Sequence, residues 1–303
     1  MASWTRAIND RVWAWTRPHR DILYYANGGL GDELIFTAIA HEARTIGNPI
    51  HVLTDFPEIW AGNRDAASVN KGIGRWHYIV NRTWKKTRIV HLHSETNRRG
   101  RHIAQQMADN VGVTLRPGWR PHIAQGGAVT RNTKRVVLQN SCRGARYAAT
   151  TKEWPQSQWQ ELVTRLSDVE LIQVGTKHDP LLGGTIDMRG KTTLSTAAAL
   201  IASASCFVGL ESGLMHLAAA VHTPSVIIYG GRTEPAQTGY PFHVHLTRHP
   251  ACSPCGFNDG CPNGLVCLQI PAHEVEACVR RELSRQAAAS APTGAKTITP
   301  QLR

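Results

Sequence analysis

Residues 207–220, FVGLESGLMHLAAA, decide the fold of this 303-residue chain. An apolar segment with the pattern of a strand ends in a glycine, a polar patch at 211–213 follows, and an apolar helix carrying His216 begins there. The next apolar run, 225–229, predicts a second buried strand. A helix that begins at the carboxyl end of a parallel strand directs its N–H groups and macrodipole at an anion. A plain strand-to-helix turn with Ser212 as N-cap explains the pattern equally well.

The formal charge of +12 at neutral pH indicates acidic partners, such as nucleotide phosphates, nucleic acid or an anionic membrane surface. Solubility alone also accounts for it. The sequence has no apolar run long enough for a transmembrane helix, and its N-terminus lacks the apolar core of a signal peptide. We therefore expect a cytoplasmic protein.

Residues 1–20 form an arm in which tryptophan and arginine alternate. These residues are Trp4, Arg6, Arg11, Trp13, Trp15, Arg17 and Arg20. Basic and aromatic side chains at helical spacing suit a membrane interface, so we expect peripheral contact with the inner membrane. A helix packed on its own domain explains the pattern nearly as well.

Two sets of alternating strands and helices follow one another along the chain. In the first set, residues 21–26 and 49–54 predict strands on either side of a helix over 33–46. Such a βαβ unit has a right-handed crossover and indicates a parallel sheet. The second set begins with a strand over 135–139 and ends with a helix over 274–285.

The predicted fold is therefore α/β, with two Rossmann-like, doubly wound parallel sheets facing across a cleft. The first domain covers 21–120, a linker rich in Pro, Gly, Arg and Thr covers 121–134, and the second domain covers 135–285. The tail, 286–303, is rich in Ala, Ser, Pro and Thr and is expected to be disordered. Ligands of open α/β sheets bind at the carboxyl ends of the strands, so the glycine-rich turns are expected to face the cleft.

Residues 27–33, NGGLGDE, form neither a P-loop nor a full dinucleotide fingerprint. They place Asp32 and Glu33 at a strand-to-helix junction that is expected to face the cleft. A carboxylate there can accept a proton from a substrate hydroxyl. The alternative is that Asp32 only caps the helix or complements its dipole.

Thr150, Thr151 and Lys152 precede a helix predicted to begin at Trp154. Two hydroxyls and an ammonium group at a helix start predict a phosphate clamp. A threonine-capped helix with a solvated lysine is the common alternative.

Four of the seven cysteines follow the spacing C-x2-C-x5-C-x5-C. They are Cys252, Cys255, Cys261 and Cys267. Four thiolates this close in sequence suit a structural, tetrahedral site for zinc or iron. Reduced thiols, or disulfides in an oxidising compartment, are the alternatives.

In their order over residues 21–285, these motifs resemble glycosyltransferase family 9, the ADP-heptose:lipopolysaccharide heptosyltransferases and their relatives. Asp32 matches the aspartate that is the family's proposed base, and residues 152–155 look like the end of its Thr-Thr-x-x-x-Lys-x-Trp-Pro segment. Residues 211–217, ESGLMHL, stand where the family has Asp-Thr-Gly-x-x-His-Leu. The cysteine cluster is similar to an insert found in many members.

The resemblance implies the GT-B fold and inverting transfer of a sugar, heptose above all, from a nucleoside diphosphate to a hydroxyl of an envelope glycan or protein. ADP is the favoured nucleotide, and catalysis needs no metal. Asp32 would take the proton of the acceptor hydroxyl. Lys152, the Ser212 hydroxyl and the N–H groups at Gly213 and Leu214 would stabilise the charge of the leaving diphosphate, and His216 would order the site. The donor contacts expected from the resemblance are Thr150, Thr151, Lys152, Glu211, Ser212, Gly213, Leu214 and His216.

Two other classes of protein stay open. A sugar-nucleotide epimerase on the same fold would act without an acceptor. A basic protein with a cysteine-bound metal would bind DNA or RNA with a steep salt dependence. That class of protein leaves the motif at residues 207–220 unexplained. We therefore expect no nucleic-acid partner.

Overall fold

The computed structural model describes residues 23–25, 28–71, 89–91, 100–124, 129–145 and 148–290. The arm at 1–20, with its predicted membrane contact, lies outside these residues. Among the described residues, no helix combines the length and the apolar character that a membrane span requires.

The N-terminal half contains one sheet and the helices around it. Its elements are β1 (Leu23–Tyr25), α1 (Leu30–Thr45), β2 (Ile50–Thr54), a 3-10 turn (Pro57–Trp60), β3 (Ala66–Lys71), β4 (Ile89–His91) and α2 (Ile103–Val111). The four strands are parallel and lie in the order β3-β2-β1-β4. The chain thus moves outward from β1 in one direction and then crosses to its other side, as in a doubly wound sheet.

The C-terminal half contains a second, larger parallel sheet. Its elements are β5 (Asn132–Leu138), a 3-10 turn (Thr150–Lys152), α3 (Gln156–Arg165), β6 (Glu170–Gln173), β7 (Ile186–Asp187), α4 (Leu194–Ala202), β8 (Ala204–Leu210), α5 (Gly213–Ala220), β9 (Ser225–Tyr229), α6 (Pro235–Thr238), β10 (Val244–Thr247), a 3-10 turn (Val266–Leu268) and α7 (Ala272–Ser290). The strand order is β10-β9-β8-β5-β6-β7, which reverses between β5 and β8.

The second sheet is covered on both faces, and its strands are correspondingly apolar. Every residue of β8 is buried, as expected for a central strand of a parallel sheet. Val137 and Phe207 belong to a core that continues into the N-terminal half through α1 and α2. Val136 and Val208 belong to the opposite core, under α3 and α7. Side chains on one face of the second sheet therefore pack in a core shared with the N-terminal half, whereas those on the other face pack within the C-terminal half.

The two halves touch where α1 and α5 begin. A Cβ atom on Gly31 would lie 2.5 Å from His216 Cδ2, and one on Gly213 would lie 3.1 Å from Leu30. A second contact is made by His102, whose Nε2 donates to the Gly239 carbonyl at 2.9 Å while Nδ1 accepts from the Ala104 N–H. The two helix starts are therefore packed closely enough to exclude a side chain at Gly31, whereas a side chain at Gly213 would require Leu30 to shift by a few tenths of an ångström.

The predicted boundaries differ from the structure in three respects. β5 begins at Asn132 and so includes the last three residues of the predicted linker, 121–134. α7 continues to Ser290, so residues 286–290 of the predicted tail are helical, and 291–303 lie outside the described residues. The strands β3, β7 and β10 were not predicted. They lie at sheet edges, where a strand pairs on one side only and its apolar pattern is weaker.

Gly31→Ala should destabilise the protein by about 1–3 kcal/mol, because the new methyl group would overlap the His216 ring. Helix propensity alone would instead make the variant more stable, since Ala is favoured over Gly within a helix by about 1 kcal/mol. Urea unfolding measures the difference. Gly183→Ala is the control, because the nearest atom to its added Cβ lies 3.6 Å away. Equal or greater stability of Gly31→Ala would contradict the described contact.

Candidate active site

A cavity of about 930 Å³ lies between the two sheets, at the carboxyl ends of their strands. The N-terminal half contributes the start of α1 and the turn carrying Phe56 and Glu58. The C-terminal half contributes the residues that follow β5, β6 and β8, together with the start of α5. The cavity is therefore where the predicted cleft was expected.

The expected site residues divide into those that line the cavity and those that do not. The lining residues are Asp32, Lys152, Glu211, Ser212, Gly213, Leu214 and His216. Thr150 and Thr151 are not among them. Thr150 Oγ1 donates to Asp259 Oδ1 at 2.7 Å, and Thr151 Oγ1 donates to the Phe257 carbonyl at 2.6 Å. Their hydroxyls thus hold the cysteine-containing loop, and the predicted phosphate clamp keeps only Lys152.

Asp32 lies in the first turn of α1 and lines the cavity. Its Oδ2 accepts a hydrogen bond from the Gly29 N–H at 2.8 Å, which caps the helix. The capping role considered for Asp32 is therefore present, and the residue also lines the cavity. A carboxylate that is held in one orientation and borders a ligand cavity is suitably placed for proton transfer.

Ser212 occupies the N-cap position of α5, but its hydroxyl does not cap the helix. It donates to Gln139 Oε1 at 2.6 Å. Within the described residues, the N–H groups of Gly213 and Leu214 consequently have no hydrogen-bond partner. The positive end of α5 is therefore open toward the cavity, whereas the Ser212 hydroxyl, which was expected on the donor phosphate, is committed to Gln139.

Lys152 and Glu211 form a largely buried ion pair at the cavity wall. The ammonium group contacts Glu211 Oε2 and also donates to the Glu211 backbone carbonyl at 3.2 Å. The side chains are only 14% and 9% exposed. Because the pair is shielded from water, each charge strongly fixes the position of the other.

His216 is buried beneath the start of α5. Its Nδ1 is hydrogen-bonded to the Tyr240 hydroxyl at 2.8 Å. Burial, together with the nearby His102, His243 and Lys152, lowers the pKa of His216 to about 3. The imidazole is therefore neutral at physiological pH, as expected of a residue that orders the site.

Glu33 does not face the cavity, contrary to expectation. One residue after Asp32, it is turned by about 100° around the helix and is fully buried. Its Oε1 accepts from Trp60 Nε1 at 2.8 Å and from the Thr54 hydroxyl. Burial raises the pKa of Glu33 to about 7, and Asp55 and Glu58 add to this effect. Glu33 thus ties α1 to the turn that borders the cavity.

Residues 121–256 match the family Glycosyltransferase family 9 (heptosyltransferase). The resemblance to glycosyltransferase family 9 is confirmed. The matched segment includes the Lys152 turn, β8 and the start of α5, whereas Asp32 lies outside it.

One sequence relative in this family is lipopolysaccharide heptosyltransferase 2 of Escherichia coli (strain K12). It is 33% identical over 104 residues, which are 29% of this chain and 30% of the relative. The chain thus aligns with about a third of the length of the family 9 relatives it matches.

Solved structures of glycosyltransferases resemble the chain over most of its length. The iron-containing dodecameric glycosyltransferase TibC of enterotoxigenic E. coli superposes with a TM-score of 0.69 and 18% identity, over 89% of this chain and 77% of TibC. E. coli ADP-heptose lps heptosyltransferase II gives 0.63 and 15% identity, over 88% and 99% of the two chains. The chain has the GT-B fold.

Sequence reasoning missed the residues that follow β5. Gln139, Ser141 and Cys142 line the cavity, and Gln139 and Ser141 are buried. Their signal is a polar run, QNSC, directly after the apolar run VVL. Polar residues at the carboxyl end of a central parallel strand are placed at the ligand crevice, so this position could have been found.

The cysteine loop packs beside Gly231. The Cys255 N–H donates to the Gly231 carbonyl at 2.8 Å, and a Cβ atom on Gly231 would lie 3.2 Å from Cys267 Sγ. Burial, with Cys261 and Cys255 nearby, raises the pKa of the Cys267 thiol. Thiols are suitable ligands for zinc or iron, but the described residues contain no group of three or more Cys, His, Asp or Glu side chains placed to hold a metal. As arranged, the cysteines do not form a ligand set, and all are unpaired.

Glu33→Gln should change how stability depends on pH. The folded protein holds the Glu33 proton up to about pH 7, whereas the unfolded chain releases it near pH 4.5. The stabilising effect of the protonated carboxyl is therefore complete below pH 4.5 and is lost as the pH rises through 7. Between pH 5 and 8, the wild type should lose roughly 2 kcal/mol relative to Glu33→Gln, measured by urea unfolding.

The exposed Glu161 of α3, which is not among the groups that shift the pKa of Glu33, supplies the control, since Glu161→Gln should follow the wild-type pH dependence. If the free energy of unfolding varied with pH in the same way in the wild type and in Glu33→Gln, Glu33 would be ionised in both the folded and the unfolded protein.

Proposed function

We propose that this protein is an inverting glycosyltransferase of lipopolysaccharide or related envelope biosynthesis. It moves heptose from an ADP-linked donor to a hydroxyl of an envelope glycan or protein. The observation that supports this proposal is that the open start of α5, Lys152 and Asp32 of α1 all line one cavity. TibC, whose fold is similar, has also been solved in complex with ADP-D-beta-D-heptose.

The donor diphosphate belongs at the start of α5. The N–H groups of Gly213 and Leu214 and the helix dipole supply positive potential there, and Lys152 supplies a full charge. As the bond between the anomeric carbon and the diphosphate breaks, negative charge grows on the leaving oxygen. Groups that already point at this position stabilise the charge without having to reorganise.

Asp32 is the proposed base. The acceptor hydroxyl attacks the anomeric carbon from the side opposite the diphosphate, so the configuration inverts. The carboxylate of Asp32 takes the hydroxyl proton as the new C–O bond forms. Glu211 is the proposed partner of sugar or ribose hydroxyls, and a diphosphate near Lys152 would compete with Glu211 for the ammonium group.

Two substitutions separate chemistry from binding. Asp32→Asn retains an oxygen that can cap α1, so ADP affinity should stay near the wild-type value, while transfer falls about 100-fold or more because the base is lost. Lys152→Met should weaken ADP binding by about tenfold, through loss of a charged hydrogen-bond donor. ADP binding is measured by calorimetry, and transfer from ADP-heptose is measured with the envelope fraction of heptose-deficient bacteria.

Asp65→Asn and Lys191→Met are the matched controls, because their ion pairs with His41 and Asp187 lie outside the cavity lining. Unchanged transfer in Asp32→Asn would remove Asp32 as the base. Tighter binding of UDP or GDP than of ADP would contradict the ADP-linked donor.

For the cysteine loop, we propose a structural zinc or iron, whose binding would draw together thiols that are not placed to hold a metal in this structure. The thiol chemistry and the description of TibC as iron-containing support the proposal. The metal takes no part in transfer. Elemental analysis of the purified protein should find about one metal per chain, which Cys255→Ser removes and Cys206→Ser, in the core, does not. A metal-free wild type with normal transfer would leave the four cysteines as reduced thiols.

A further inference from the structure

The Ser212 hydroxyl is in an unusual position for a helix N-cap. A serine at this position ordinarily accepts a hydrogen bond from one of the next N–H groups and so satisfies part of the helix start. Here the hydroxyl donates to Gln139 Oε1 at 2.6 Å, and the cap is absent. The side chain of Gln139, which directly follows β5, therefore determines whether the start of α5 is capped or open.

The orientation of the Gln139 amide follows from its second hydrogen bond. Its Nε2 donates to the Ser141 carbonyl at 2.9 Å. The reversed amide would place two acceptors, Oε1 and that carbonyl, against each other. Oε1 must therefore face Ser212, and the serine proton is directed at Gln139 and away from the cavity.

The surroundings hold Gln139 in this position. The residue is 5% exposed, and its backbone N–H donates to the Val208 carbonyl at 2.9 Å. A Cβ atom on Gly209 would lie 3.2 Å from Gln139 Oε1 and 2.7 Å from the Phe207 ring. The glycine in β8 thus leaves the space that the amide occupies.

We propose that Gln139 is a positioning residue: by holding the Ser212 hydroxyl, it keeps the N–H groups of Gly213 and Leu214 open for the diphosphate of the donor. This inference rests on the proposed function. It gives Gln139 no contact with the donor and makes the Ser212 hydroxyl a potential competitor of the phosphate, not a ligand of it.

The test compares Gln139→Leu, Ser212→Ala and the double variant, with calorimetric titration of ADP, UDP and GDP. In Gln139→Leu the serine is released and can cap α5, so affinity for the nucleotide that the wild type binds most tightly should fall by about tenfold. Ser212→Ala should bind at least as tightly as the wild type. The double variant should regain the affinity lost in Gln139→Leu, because no hydroxyl remains to block the helix.

Two results would overturn the inference. A double variant as weak as Gln139→Leu would show that Gln139 acts by direct contact or through general loss of structure. Weaker binding by Ser212→Ala, which does not depend on whether Gln139→Leu folds, would show that the hydroxyl serves the phosphate. If the wild type binds none of the three nucleotides, the proposed function fails and the inference fails with it; a wild type that binds while the double variant stays weak rejects the inference alone.

Discussion

Every strand pair in the described residues is parallel, and the rest of the structure depends on this constraint. Parallel strands end at one edge of their sheet, so each sheet has one edge where strands stop and helices start. In this protein, the edges at which the strands of the two sheets end face each other. The start of α1 and the start of α5 then border the same cavity, where α1 presents the carboxylate of Asp32 and α5 presents the N–H groups of Gly213 and Leu214.

One pair of opposite charges in the cavity wall is balanced within the protein. Lys152 is paired with Glu211, and His216, which borders the same space, is kept neutral by burial. The positive potential at the start of α5 comes from backbone N–H groups, which do not titrate. This potential therefore does not vary with pH.

The sequence predicted most of this fold because its central strands are nearly continuous apolar runs. Residues 225–229 were predicted as the strand that the structure contains, and β8 was recognised together with the start of α5. Edge strands such as β3 and β10 were missed because a strand with one neighbour is partly exposed. The type of secondary-structure element could therefore be predicted from the sequence where the element is fully buried.

The site was less predictable, because side-chain direction depends on the whole fold. Glu33 and Asp32 are adjacent in sequence, yet one enters the core and the other borders the cavity. Thr150 and Thr151 have the residue types of a phosphate clamp, but their hydroxyls are bound by a loop more than 100 residues later in the chain. The direction of the Ser212 hydroxyl likewise depends on Gln139, 73 residues earlier.

The close contact at Gly31 also limits how the two halves can move. Backbone there already lies against the His216 ring, so the halves cannot approach each other further along the line that joins α1 and α5. A rotation that narrowed the cavity would therefore use this contact as a pivot. Residues far from the pivot would travel furthest, whereas the N–H groups of Gly213 and Leu214, close to it, would hold their position through the motion.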